Sequence, residues 1–104
     1  MRLVFLPEAE GGLERIADYI AQDNPVRALS FVRELRDRAL QIAKTPHAYP
    51  LVPRFESLGI RRCVHGNYLI FFRVQNDEVQ VLHILNGAMD VEALLFSSEL
   101  PTSL

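Results

Sequence analysis

The sequence predicts an α+β protein: an antiparallel four-strand sheet, formed by an N-terminal strand and a C-terminal three-strand meander, packed on an α-helical hairpin in the order β-α-α-β-β-β. Three observations lead there. Ile60 to Asp90 contains three apolar runs, separated by His65-Gly66-Asn67 and Gln75-Asn76-Asp77-Glu78, with no proline to interrupt pairing. Two segments of helical period meet at Asp23-Asn24-Pro25. A chain of 104 residues that is 49% hydrophobic can bury one core, so a single domain over residues 1–104 is expected.

Arg2 to Leu6 is β-prone and halts at Pro7, which has no amide to donate. From Glu8, the residues Leu13, Ile16, Ala17 and Ile20 recur at helical spacing, and Glu8 and Glu10 suit the positive end of a helix. Gly11-Gly12 weakens that first turn by about 1 kcal/mol per glycine, which predicts a loosely started helix. Asn24 then reads as an N-cap and Pro25 as the first residue of a second helix. Its apolar stripe is Ala28, Val32, Leu35, Ala39 and Ile42, widened by Leu29 and Leu40. Pro46, Pro50 and Pro53 make Thr45 to Leu58 a crossing loop.

In the meander, Gly66 supplies a positive φ, and Asn76-Asp77 are types that tolerate the left-handed conformations of a two-residue hairpin. Tyr68, Ile70, Phe72 and Val74 share one face of the central strand, and Leu69, Phe71 and Arg73 the other. A strand that is apolar on both faces needs a cover on each: helices on one, and a partner chain is expected on the second. After Asp90, Val91 to Phe96 offers a turn or two of helix.

The longest apolar runs fall well short of the roughly 20 residues that span a bilayer. Pro7, Glu8 and Glu10 break any leader pattern, so a cytoplasmic protein with no membrane partner is expected. The lone Cys63 excludes an intrachain disulfide and a cysteine-based zinc cluster. Net charge is −2, and no lysine or arginine follows Arg73, while Asp77, Glu78, Asp90, Glu92 and Glu99 do. A surface built from that last third repels a nucleic-acid backbone, which argues against direct sequence-specific nucleic-acid binding.

No catalytic constellation stands out. His47, His65 and His83 have no metal-ligand spacing, so neither metal nor other cofactor is expected, and no serine lies in a nucleophile turn. His83 is expected on the same face as Val81 and Leu85, as a hydrogen-bonded core or groove histidine. Arg61 and Arg62 point to opposite faces of their strand.

Several stretches together resemble one family. Tyr19-Ile20 precedes Asn24-Pro25 and Ala28; Ile60-Arg61 is followed by Gly66-Asn67-Tyr68 and Ile70-Phe71-Phe72-Arg73-Val74; and Val81-Leu82-His83-Ile84-Leu85-Asn86-Gly87-Ala88-Met89-Asp90 closes the pattern. In order and spacing the chain resembles the ParE/RelE superfamily of type II toxin-antitoxin toxins. The resemblance implies one of two activities: ribosome-dependent mRNA cleavage in RelE-like members, or inhibition of DNA gyrase by protein binding in ParE-like members.

Related toxins often carry His-Gly-Ala-Arg-Asp where this chain has Asn86-Gly87-Ala88-Met89-Asp90, and neither Asn86 nor Met89 transfers protons near neutral pH. A nuclease would have to work with Arg61, Arg73 and His83, so the ParE-like reading is favoured, with DNA gyrase as target and a ParD-like cognate antitoxin as partner. A toxin-fold module that binds antitoxin and inhibits nothing is a third reading. On the leading one, Leu13, Tyr19, Leu29, Phe31, Leu69 and Phe71 are expected to meet the antitoxin, and Arg61, Arg62 and Met89 the target.

Overall fold

The computed structural model describes residues 1–87. Strand β1 (Arg2–Phe5) leads into helix α1 (Pro7–Ala21) and helix α2 (Pro25–Lys44). Two short 3-10 turns, Pro46–Ala48 and Glu56–Leu58, then carry the chain to β2 (Arg61–His65), β3 (Tyr68–Gln75) and β4 (Glu78–Asn86). The expected helix over Val91 to Phe96 lies outside the described residues.

Local chemistry sets each boundary. Pro7 opens α1 as its first residue, where a missing amide costs nothing. Asn24 caps α2: its side-chain oxygen accepts from the Arg27 amide at 3.0 Å, ahead of Pro25. Replacing Asn24 by alanine should cost about 1 kcal/mol, read as a lower midpoint in urea denaturation with an unchanged slope. A cost below a few tenths would mean that water satisfies the Arg27 amide equally well. Gly66 turns β2 into β3 at φ 61°, and Asn76 and Asp77 turn β3 into β4 at φ 55° and 59°. Two consecutive positive φ values are the two-residue hairpin geometry that matches strand twist.

The sheet runs β1-β4-β3-β2 and is mixed. Pairs β2/β3 and β3/β4 are antiparallel, but β1 lies parallel to β4, Arg2 opposite Glu78 and Phe5 opposite Val81. This corrects the expectation of an antiparallel sheet throughout. Tight turns dictate direction only between strands they join; β1 and β4 are separated by the helix hairpin and the loop, and such a crossover permits parallel pairing.

Both helices pack on one face, where Leu13, Ile16, Leu35, Ala39 and Ile42 meet Ile70, Phe72, Val79, Val81 and Ile84. Helix α1 runs unbroken through Gly11 and Gly12, and Gly12 is buried. A Cβ on Gly12 would lie 2.8 Å from the Ile84 carbonyl oxygen, so this glycine is what lets the helix come down onto β4. Leu29 and Leu40 do not widen the inward stripe of α2; both are exposed.

Much of the second face is covered by the chain itself. Val52, Phe55 and Ile60 of the crossing loop bury Phe71, Leu82 and Leu85, with Leu6 and Leu69 at the margin. The loop is tied down by Val52 N–H to Ile60 O at 2.8 Å and by a bridge between Leu51 and Arg61. Proline keeps this segment from forming a long helix, yet Val52 and Phe55 behave as core.

Candidate functional site: two surfaces flanking the sheet

A bulge in β4 decides which side chains each face receives. Phe71 pairs with His83 and Phe72 with Val81, leaving Leu82 as the extra residue. Leu82 and Leu85 can then share the loop-covered face while Ile84 turns to the helices, which a regular strand forbids. His83 therefore lies on the face of Phe71 and Leu85, opposite to Val81, and is 5% exposed. The expectation that it shares a side with Val81 fails because it assumes regular alternation.

This geometry scatters the three nuclease candidates. Arg61 pairs with Phe72 on the helix side, and its guanidinium donates to the Tyr49 carbonyl at 2.6 Å. Arg73 is on the other face, donating from Nε to Gln80 Oε1 at 3.0 Å. Gln80 in turn donates to Glu78, which pairs with Arg2 at 3.4 Å, so Arg73 belongs to a polar ladder across three strands. His83 is buried on that same second face, opposite Phe71. The three do not converge on one open surface. Among the described residues no group of three or more His, Cys, Asp or Glu could hold a metal ion.

The helix side does have an opening. Between α1 and the end of the β3–β4 hairpin lies an apolar groove of about 360 Å³, walled by Gly12, Ile16 and Tyr19 from the helix and by Tyr68 and Ile84 from the sheet, with Arg15 at its rim. Of the residues expected to meet an antitoxin, Tyr19 borders this groove and is 68% exposed, and Leu29 stands out from α2 at 72%. Phe31 is half-buried between α2 and the sheet, its ring 5.4 Å from Tyr68 and 5.8 Å from His65, with the Arg27 guanidinium 5.0 Å above it. Arg27 also binds Glu34 and holds that carboxyl below the ordinary carboxylate range, and His65 approaches Glu34 at 3.7 Å.

Two members of the expected antitoxin set are corrected. Leu13 is 2% exposed and Phe71 fully buried, so both build the core of the chain and offer no surface to a partner. Leu13 points into the sheet beneath α1, and the loop seals Phe71. Leu69 is half-buried and borders a second hollow, beside Val64. Sequence reasoning missed Val26, exposed one turn before Leu29, and Tyr68 and Ile84 in the groove wall. Val26 follows the Asn24-Pro25 cap directly, on the outer side of the stripe that starts at Ala28, and that offset was the available signal. Of the expected target-facing residues, Arg62 is exposed on the second face, Arg61 is engaged within the chain, and Met89 lies outside the described residues.

The molecule is thus a small mixed sheet carrying a helix hairpin, with Arg61, Arg73 and His83 dispersed and apolar openings at the surface. The model of the family described as "ParE toxin of type II toxin-antitoxin system, parDE" matches residues 3–91, and the chain belongs to that family. Its fold is similar to a structure titled "Chromosomal ParDE TA system from P. aeruginosa", with 25% sequence identity and a TM-score of 0.70. That similarity covers 83% of this chain and 95% of the other. No curated protein matches.

Proposed function

We propose that this chain is the toxin of a type II toxin-antitoxin pair, acting in the cytoplasm as a single domain, that arrests growth by binding DNA gyrase and is neutralised by a ParD-like antitoxin. The observation that carries this reading is the ParE family match across residues 3–91. Action by binding rather than catalysis is supported by Arg61 on one face of the sheet and Arg73 and buried His83 on the other. The antitoxin enters the groove between α1 and the β3–β4 hairpin, where Tyr19 and Tyr68 offer broad apolar faces with polar tips, and it extends over Phe31, Leu29 and Val26 of α2. Arg62 is the basic residue assigned to the target side, with Met89.

The test is expression of the chain alone, followed by gyrase assays on the purified protein. Growth arrest, loss of supercoiling and accumulation of cleaved DNA are expected. Normal supercoiling together with message cleavage in translating ribosomes would replace this reading by the RelE-like one. Normal growth and normal supercoiling would leave only a module that binds antitoxin.

A further inference from the structure

Helix α2 turns one side away from the sheet, and leucines stand on it toward both ends: Leu29 is 72% exposed and Leu40 53%. At 3.6 residues per turn the two fall within about 20° of each other around the helix, and Arg33 and Asp37 fall within about 40° of each other on the neighbouring line. Three of the four α2 arginines are engaged within the chain: Arg27 with Glu34, Arg36 with Glu10 at 3.1 Å, and Arg38 with Cys63 at 3.2 Å. Arg33 and Asp37 are exposed, and their side chains have no ion pair or hydrogen bond among the described residues. They also stand in the poorer order for pairing along one helix, where the favourable i, i+4 arrangement puts the acid first.

This face is complementary to itself. Antiparallel pairing of two α2 helices about a twofold axis at the level of Leu35 sets Arg33 level with Asp37 of the second copy, and Asp37 level with its Arg33. Leu29 then falls within one residue's rise, about 1.5 Å, of the level of the second copy's Leu40. A twofold axis perpendicular to both helices keeps the same lateral side of each together, so leucine meets leucine and each charge meets its opposite, every contact occurring twice. We propose that this face of α2 binds a second copy of the chain, antiparallel, through reciprocal ion pairs of Arg33 with Asp37 and contacts of Leu29 with Leu40. One helix face is at the small end of specific interfaces, so the dimer is weak and concentration-dependent. It rests on the α2 surface alone and not on the function proposed above. On that function the antitoxin reaches the same Leu29, so a second copy and the antitoxin exclude one another.

Sedimentation velocity of the purified full-length chain, with neither antitoxin nor gyrase present, tests the dimer. The unsubstituted chain should pass from monomer to dimer as its concentration rises to about 0.5 mM, the range of a weak specific contact. Leu29→Gln, Arg33→Asp and Asp37→Arg should each weaken the dimer by about tenfold, through lost apolar contact in the first and two like-charge encounters in the others. All three positions are exposed, so circular dichroism and the urea midpoint should stay close to those of the unsubstituted chain. Mixed in equal amounts, the Arg33→Asp and Asp37→Arg chains should pair with each other, because each then meets opposite charge at both sites. A chain that stays monomeric throughout, or a dimer indifferent to the three substitutions, would overturn the proposal. So would a mixture of the two charge variants that pairs no better than either alone.

Discussion

Phe55→Ala should lower the stability of the chain by about 3–5 kcal/mol, the cost of emptying an aromatic-sized site in a packed core. Phe55 is fully buried although it sits in a proline-rich loop, and it is the largest side chain that the loop contributes to the cluster over Phe71, Leu82 and Leu85. With its ring gone, the loop keeps the Val52–Ile60 hydrogen bond and loses most of its apolar anchor. A domain of this size has about 5–15 kcal/mol in total, so the substitution should remove a large share of the folding free energy. Urea denaturation checks it, with Leu58→Ala as the comparison. Leu58 is 36% exposed on the same loop, and its truncation should cost far less. Equal costs for the two substitutions would mean that the loop is a surface decoration and that the second face is held by something else.

The position of Phe55 also marks where sequence reasoning reaches its limit. Helices, hairpins and caps are legible because their signals are local: Asn24-Pro25 opens α2, Gly66 and Asn76-Asp77 turn the strands, and period alone separates α1 from β1. The parallel pairing of β1 with β4 is not legible, because no turn joins them and direction follows from a crossover of two helices and a loop. The bulge at Leu82 is equally silent. One unpaired residue inverts every later side chain of the strand, and the run Val81-Leu82-His83-Ile84-Leu85 is apolar enough on both sides to hide it.

The candidate site shows the same division. Tyr19 and Leu29 stand exposed, whereas Leu13 and Phe71 are consumed by the core, since an apolar residue at a plausible spacing carries no mark of which side it faces. The two-sided character of β3 does demand two covers. Assigning the second cover to another molecule overlooks a proline-rich loop that brings Val52, Phe55 and Ile60 to that face.

Gly11 and Gly12, neighbours in α1, should respond to substitution with opposite signs. At Gly11 an added Cβ meets only the Arg15 guanidinium at 3.3 Å, the free end of a long side chain that can swing away. Gly11→Ala should therefore raise stability by about 0.5–1 kcal/mol through helix propensity. At Gly12 the same atom falls 2.8 Å from the Ile84 carbonyl oxygen, and 3.6 Å from its amide nitrogen, both of them strand backbone that cannot rotate aside. Gly12→Val adds two further methyls to that contact and should cost about 3 kcal/mol, the upper range for overpacking, with the helix lifting off β4. Gly12 and Ile84 also wall the groove beside Tyr19, so the displacement should widen the groove and, on the function proposed above, weaken antitoxin binding beyond what the loss of folded protein explains. Thermal denaturation gives the signs, and antitoxin titration at a temperature where both variants are folded gives the second effect. Equal responses at the two glycines would refute the close approach of α1 to β4, and with it the groove.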